Sequence, residues 1–425
     1  VFIIAMVTRL SFVSTMTPAV SMGSDAYKYT MIAINLINRF QYHYDPASDK
    51  SISWIYPGYP LFLTAVMSLK PVNNNFVDNI KYVHSLLWGG ICLLIYIITF
   101  RISNLISAVI AAMLTALSPH LVVISGYILT ETWFSFLLIL VLYLYALWLR
   151  KHSMTLLILM GLVAAAATLT RPVFMLAPLI LFFMMGFFKT NEAQVDRRKQ
   201  LILLIVFITA LSPWYIWKHN SQQVKDQTSL LREAFHYGSY PNLSYGAGPR
   251  VSPRLSDSQY MKVSDDWQQV LIHVKNRAFK QPMEFIHWYV VDKFITYWQW
   301  DIIQGQGGPF IYQVNNSIYD YNLFHKKILK IFEEMHPLLI ILAFIYATLI
   351  LYRQAKFRLK ETPLTLFIGI ILFYYSAVHI VLTPLPRYAL PLYPLIYMMA
   401  SLALVKLGTT LINKFSKPYE KVNPY

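Results

Sequence analysis

Four charged residues stand at the ends of long apolar runs, each beside a turn, a threonine or a proline. Asp25 lies in Ser24-Asp25-Ala26-Tyr27 and Glu131 in Leu129-Thr130-Glu131-Thr132. Arg171 lies in Thr170-Arg171-Pro172, and Arg387 in Pro384-Leu385-Pro386-Arg387-Tyr388. His379 falls within the last turns of the apolar run before Arg387. A carboxylate can orient a hydroxyl or amine nucleophile, or take its proton. A guanidinium offers planar, paired donors to a phosphate, which needs charge neutralisation more than protonation. The set therefore suits a displacement whose leaving group is a phosphate. Each residue also has a plainer use. Asp25 fits a helix N-cap, and Glu131 fits the positive end of a helix dipole. The arginines fit snorkelling at an interface, although the adjoining prolines and short turns fix them more than snorkelling needs. His379 and His84 fit satisfied structural histidines better than metal ligands.

The elements that must position these residues are membrane helices. The chain has 425 residues, 56% of them hydrophobic and 13% charged, which is too apolar for a soluble protein of this size. Runs of about 17–22 residues with few charges recur, each long enough to cross the hydrocarbon layer. Spans are expected near 1–17, 78–100, 104–120, 131–149, 153–169, 172–188, 200–217, 337–352, 363–382 and 388–408. The expected fold is thus an all-α polytopic membrane protein with about ten transmembrane helices, juxtamembrane helices and a mostly helical outer loop region. The first apolar run is short and does not begin with methionine. It reads as a truncated first span with residues missing before Val1, rather than as a signal peptide.

Charge orients the scheme. If the chain starts inside and alternates, the inside loops hold Arg101; Arg150 and Lys151; Lys189, Arg197, Arg198 and Lys199; and Arg353, Lys356, Arg358 and Lys360. The inside tail holds Lys406, Lys414, Lys417 and Lys421, whereas the short outside loops hold only Arg171 and Arg387. That asymmetry is the one expected of cytoplasmic loops, and it explains the net charge of +16 without nucleic acid. The scheme requires that Gly58–Leu69, bounded by Pro57, Pro60 and Pro71, lie in the interface rather than cross. Asp25, Glu131, Arg171, Arg387 and His379 then share the outer face.

Two large segments also lie outside. The first runs from about Pro18 to Val77. The second runs from Lys218 to His336 and holds eleven of the twenty acidic residues, so it is solvated. Within it, Tyr240 to Pro253 reads as loop, while Asp265–Lys280 and Pro282–Trp300 read as helices. The latter carries Phe285, Trp288, Tyr289, Tyr297 and Trp298 and is expected on the membrane surface or against the bundle. Three regions follow: an N-terminal membrane module, 1–217, with a catalytic first outer loop at 18–77; an outer loop region, 218–336; and C-terminal membrane helices with a basic tail, 337–425. Cys92, the single cysteine, lies in an apolar run and reads as a small core residue.

Absences narrow the chemistry. There is no Walker-type loop, no His-Glu-x-x-His pair and no Asp-x-Asp, so no obvious metal site for a nucleotide-sugar donor. No cofactor is assigned; a divalent ion is left open, with Asp25 and Glu131 as its only candidate carboxylates. A transporter or flippase would need ionisable groups near mid-membrane or related half-repeats. The charges sit at the outer edge instead.

At these residues the chain resembles the GT-C membrane glycosyltransferases, in the bacterial branch akin to protein O-mannosyltransferases and the aminoarabinose transferase of lipid A. The resemblance rests on Asp25 with Tyr27 and Tyr29, Tyr56-Pro57-Gly58-Tyr59-Pro60, Ser118-Pro119, Thr130-Glu131, Thr170-Arg171-Pro172, Ser212-Pro213-Trp214 and Arg387-Tyr388-Ala389-Leu390-Pro391, in the family order. It implies sugar transfer from a polyprenyl-phosphate donor to a glycan, lipid or protein outside a bacterial cytoplasmic membrane. It implies Asp25 in the catalytic role and Arg387, with Arg171 and Tyr388, near the donor phosphate. Glu131, Tyr27, Tyr56, Tyr59 and His379 are expected to support the site or meet the acceptor. Ala26 stands where many relatives carry glutamate, so a second loop carboxylate is lost or its role passes to Glu131. An O-antigen polymerase or ligase is a related chemistry that acceptor analysis would separate.

Overall fold

The computed structural model describes residues 1–18, 24–45, 54–69, 76–187, 197–220, 225–244, 252–253, 257–303, 306–357 and 363–415. Pro71, Lys189, Arg358, Lys360, Lys417 and Lys421 lie outside them, as do residues 245–251 of the expected Tyr240–Pro253 loop; of Arg197, Arg198, Lys199 and Lys414 only the backbone is described. The chain is an all-α membrane fold. Its described strands are two short ones, Thr17–Pro18 paired antiparallel with Val314–Asn316.

Ten helices precede the long outer segment among the described residues: α1 (Phe2–Thr15), α2 (Ser24–Arg39), α3 (Gly58–Ser68), α4 (Phe76–Ile102), α5 (Leu105–Leu117), α6 (Pro119–Val123), α7 (Thr130–Lys151), α8 (Met154–Thr170), α9 (Ala177–Phe187) and α10 (Arg197–Asn220); α11 (Lys225–Gly238) opens the segment itself. Three more long helices follow it, Leu323–Phe357, Pro363–Val381 and Tyr393–Phe415. Among the described residues, six helices are long and apolar enough to cross a membrane, and a pair bent by 55° at Ser118-Pro119 makes a seventh. Three of the ten expected spans, 1–17, 153–169 and 172–188, are apolar helices shorter than that test requires: Phe2–Thr15, Met154–Thr170 and Pro172–Gly186. Gly58–Ser68, eleven residues long, is shorter still.

The bend after α5 shows how a buried charge holds the bundle. Pro119 has no N–H, so the Thr115 carbonyl loses its helical partner. Arg9 of α1, fully buried, replaces it: Nη2 donates to Thr115 O at 3.1 Å and Nη1 to Ala116 O at 2.9 Å. Its guanidinium also lies 5.3 Å from the centre of the Trp88 ring. The Ser118 and Tyr397 hydroxyls, 2.8 Å apart, close the same corner.

The outer segments differ from expectation in three places. The first is not only loop: α2 is an amphipathic helix that buries Ala26, Thr30 and Ala33, at helical spacing that the polar residues around Asp25 obscure. Residues 225–238, to which the sequence assigns no particular element, form α11. The Leu323–Phe357 helix starts well before 337, because its polar first turns, Lys326 to Glu334, stand outside the apolar window. The two expected outer helices are present. Trp267–Lys280 starts at the N-cap Asp266, which accepts from Gln269 N at 2.8 Å. Pro282–His287 and Lys293–Trp298 are joined through a π-helical turn. That run docks on the bundle at one end. Lys293 Nζ donates to Ile380 O (2.6 Å) and Leu382 O (2.8 Å), capping the Pro363–Val381 helix, and Trp298 Nε1 donates to Ser376 Oγ at 3.1 Å. His336 and His120 hold the carbonyls of Trp298 and Trp300 at 2.7 and 2.8 Å.

Candidate active site

The first turn of α7 carries the anchor. Leu129 is extended, and Thr130 and Glu131 open the helix, where the dipole favours an anion. About 30 Å away at the other end of α7 stand Arg150 and Lys151, so the basic loops and the carboxylate occupy opposite ends of the bundle. Glu131 is fully buried. Its Oε1 accepts from Arg171 Nη2 and from Arg387 Nε, both at 2.6 Å. Arg171 Nε donates to Thr130 Oγ1 at 3.1 Å.

Each arginine is aimed by its turn. Arg171 ends α8, and Pro172 after it prevents continuation of the helix. Its guanidinium lies 5.5 Å from the Tyr388 ring and 5.8 Å from that of Phe134. Arg387 sits in a 3-10 segment, Pro386–Leu392, that leads into the last helix. It reaches across to α2, where Nη1 donates to Asp25 Oδ2 at 3.1 Å. The Asp25 side chain is 43% exposed, against 11% for Arg387 and 0% for Glu131. The chain Asp25–Arg387–Glu131–Arg171 thus runs from solvent into the bundle.

Close packing supports it. Gly58 at the start of α3 lies against the end of α8; a Cβ there would come within 2.6 Å of Thr170 N and 2.7 Å of Leu169 C. Phe62 stacks on Trp133 at 4.4 Å, which ties α3 to the first turns of α7. Tyr29, one helical turn after Asp25, meets the Tyr59 ring edge-on at 5.3 Å, and burial pushes its phenol up from the usual range. Tyr312, from the outer segment, lies near enough for the charges of Arg387, Asp25 and Glu131 to act on its hydroxyl. Its own carbonyl accepts from Tyr127 at 3.1 Å. Burial first, with Asp25 and Glu131 adding to it against Arg387, pushes the Tyr312 phenol up to about 12, so it stands near the guanidinium as a neutral hydroxyl.

The expected residues sort clearly. Asp25, Glu131, Arg171 and Arg387 come together, with Tyr388 beside Arg171. Tyr59 lies fully buried behind them, its hydroxyl 3.3 Å from His84 Nε2. His379 stacks on Tyr297 at 4.8 Å, lies 5.3 Å from the Tyr388 ring and lines with it a cavity of about 540 Å³ against α11. Tyr27 is exposed; Tyr29 is the α2 tyrosine that the cluster's charges reach. Tyr56 is not with the carboxylates but in an aromatic group with Trp214, 6.2 Å away, and Tyr215. Tyr29 and Tyr312 join the site beyond expectation. The four-residue spacing from Asp25 would have found the first; nothing local marks the second. Among the described residues, no group of three or more metal-ligating side chains stands together, and both carboxylates here are engaged by arginine.

No family model and no curated protein matches the chain. Solved structures do. It superposes on the archaeal oligosaccharyltransferase AglB from Archaeoglobus fulgidus, in complex with an inhibitory peptide and a dolichol-phosphate, at TM-score 0.52, 15% identity and 97% coverage of this chain. It superposes equally, at TM-score 0.52, 12% identity and 97% coverage, on ArnT from Cupriavidus metallidurans bound to undecaprenyl phosphate. The fold is that of the GT-C membrane glycosyltransferases. The chain spans 50% of the length of that AglB chain and 62% of that of ArnT. In this fold the acid–arginine cluster lies where α2, α7, the end of α8 and the turn before the last helix converge.

Proposed function

We propose that this protein transfers a sugar from a polyprenyl-phosphate donor to an acceptor outside the cytoplasmic membrane, by a single inverting displacement. One observation carries the reading: a part-exposed carboxylate, Asp25, is held at 3.1 Å by an arginine that is itself fixed by a buried glutamate. An acceptor hydroxyl or amine attacks the anomeric carbon while its proton passes to Asp25. The bond from that carbon to the phosphate oxygen breaks, and polyprenyl phosphate leaves with the electron pair. Arg387 and Arg171 offset its charge, and Tyr388 borders the phosphate. Glu131 aims both guanidinium groups. No step is routed through a metal, because the carboxylates already serve the arginines.

The lipid donor is supported by the two neighbours, solved with dolichol-phosphate and with undecaprenyl phosphate. Within this reading the short helices at 1–17, 153–169 and 172–188 complete ten crossings, and the acidic end faces outward. Residues 1–217 supply the catalytic module, 218–336 the outer cover and 337–425 the closing helices. The test is donor turnover. Purified protein in detergent, with no vesicles, is incubated with a polyprenyl-phosphate sugar and an acceptor extract. Release of polyprenyl phosphate with loss of the donor sugar is expected. Movement of intact donor in vesicles, with no release in detergent, would identify a transporter instead.

A further inference from the structure

A second cavity, of about 660 Å³, lies in the outer segment away from the acid–arginine cluster. One wall is a single face of the Trp267–Lys280 helix, where His273, Asn276, Arg277 and Lys280 follow at three- to four-residue spacing. Asp257 and Gln259 form the opposite wall. The acid is already engaged: Asp257 Oδ2 accepts from the Tyr240 hydroxyl at 2.7 Å, and Oδ1 from Gln259 N at 2.8 Å. His273 Nε2 lies 3.6 Å from the same Oδ2, and its Nδ1 meets His236 Nε2 at 3.1 Å. Arg277 is fixed in place, its guanidinium 3.6 Å from the centre of the Tyr240 ring and bonded to the Ser239 hydroxyl. The lining therefore presents two cations, Arg277 and Lys280, and amide donors, against one acid, Asp257, whose two oxygens already accept hydrogen bonds from within the protein.

Beside this lining, across the break at Gln281 between two helices, the chain carries exposed apolar side chains. Phe279 and Met283 bracket Lys280 and Gln281, and Ile286 and Val290 continue the stripe at helical spacing; all four side chains are exposed, Met283 by 79%. A site for a soluble anion needs no such stripe. A site for an anionic lipid needs both halves, basic groups for the head and apolar surface for the chains.

We propose that the cavity seats the phosphate headgroup of an anionic membrane lipid, with the acyl chains along Phe279, Met283, Ile286 and Val290. Arg277 supplies paired donors to the phosphate, Lys280 supplies charge at the rim, and Asn276 bonds the remaining oxygens. This site is independent of the sugar-transfer reading and is occupied without any donor present.

The test is native mass spectrometry of the full chain, delipidated in neutral detergent. It is titrated with dimyristoyl phosphatidylglycerol, with the matching phosphatidylcholine and with inorganic phosphate. One phosphatidylglycerol is expected to bind roughly tenfold or more tighter than phosphatidylcholine. Lys280→Glu abolishes that preference, and Asn276→Asp, a second exposed rim position, weakens it. Met283→Ser weakens phosphatidylglycerol binding and leaves inorganic phosphate unaffected. These side chains are exposed, so the variants should melt with the parent protein. Unchanged phosphatidylglycerol binding in Lys280→Glu overturns the proposal. So does inorganic phosphate binding as tightly as the lipid, which would make this a soluble-anion site.

Discussion

Asp25 and Glu131 flank one guanidinium and are placed in opposite ways. Glu131 opens a bundle helix, is wholly buried and spends one oxygen on two arginines. Asp25 opens an amphipathic outer helix, keeps 43% of its side chain exposed and meets Arg387 through one oxygen. A buried carboxylate between two arginines has no room for a substrate hydroxyl; a part-exposed one at the mouth has. The pair teaches that the two acids divide the work. In the proposed reaction one builds the frame, the other meets the acceptor, and Arg387 couples them.

The division can be broken experimentally. The largest structural effect is expected from Glu131→Gln, which leaves two mostly enclosed arginines without their shared, fully buried anion. A loss of about 3–5 kcal/mol follows from breaking a buried pair in this way, and chemical unfolding in detergent measures it. A loss below 1 kcal/mol would mean that the arginines find other partners and that Glu131 is no anchor. Gly58→Ala comes next. The added methyl meets the α8 backbone, and overpacking of this kind costs about 1–3 kcal/mol. Because the contact adjoins Arg171, turnover should fall with stability; a stable variant with full activity would separate α3 from the site. Tyr312→Phe is expected to be mildest. It removes the hydroxyl near Arg387 but keeps the ring, so turnover should drop by less than about tenfold with the melting curve unchanged. A drop as large as that from altering Asp25 itself would move Tyr312 from support into the reaction.

Much of this arrangement was legible in the sequence because lipid imposes strict rules. Apolar runs marked most of the bundle, and the lysines and arginines at 101, 150, 151, 353 and 356 carry the proposed orientation. Four charges that stood apart along the chain fell on one face in that scheme and do meet. Which acid meets which arginine was not legible. Arg387 pairs across 256 residues to Glu131 and across 362 to Asp25, and nothing local encodes such partners. The helical phase of α2 was readable from Ala26, Thr30 and Ala33 but was masked by its polar residues. Tyr312 had no local signal, since the outer segment delivers it through contacts such as Tyr127. Helix length misled in another way. The run 153–169 is apolar enough to cross, and Thr170-Arg171-Pro172 ends its helix where Arg171 meets Glu131, so length alone does not count it as a span.

The most direct measurement compares Asp25→Asn with the parent protein in one preparation, reading polyprenyl-phosphate release and thermal unfolding together. Asparagine keeps the shape and removes the charge that takes the proton. Its exposed ion pair contributes about 1 kcal/mol or less to stability, whereas general-base catalysis contributes about 10²–10⁴ in rate. The expected result is turnover reduced at least a hundredfold in a protein that unfolds as the parent does. Near-normal turnover in an equally stable Asp25→Asn protein would contradict the assignment of Asp25 as the working carboxylate.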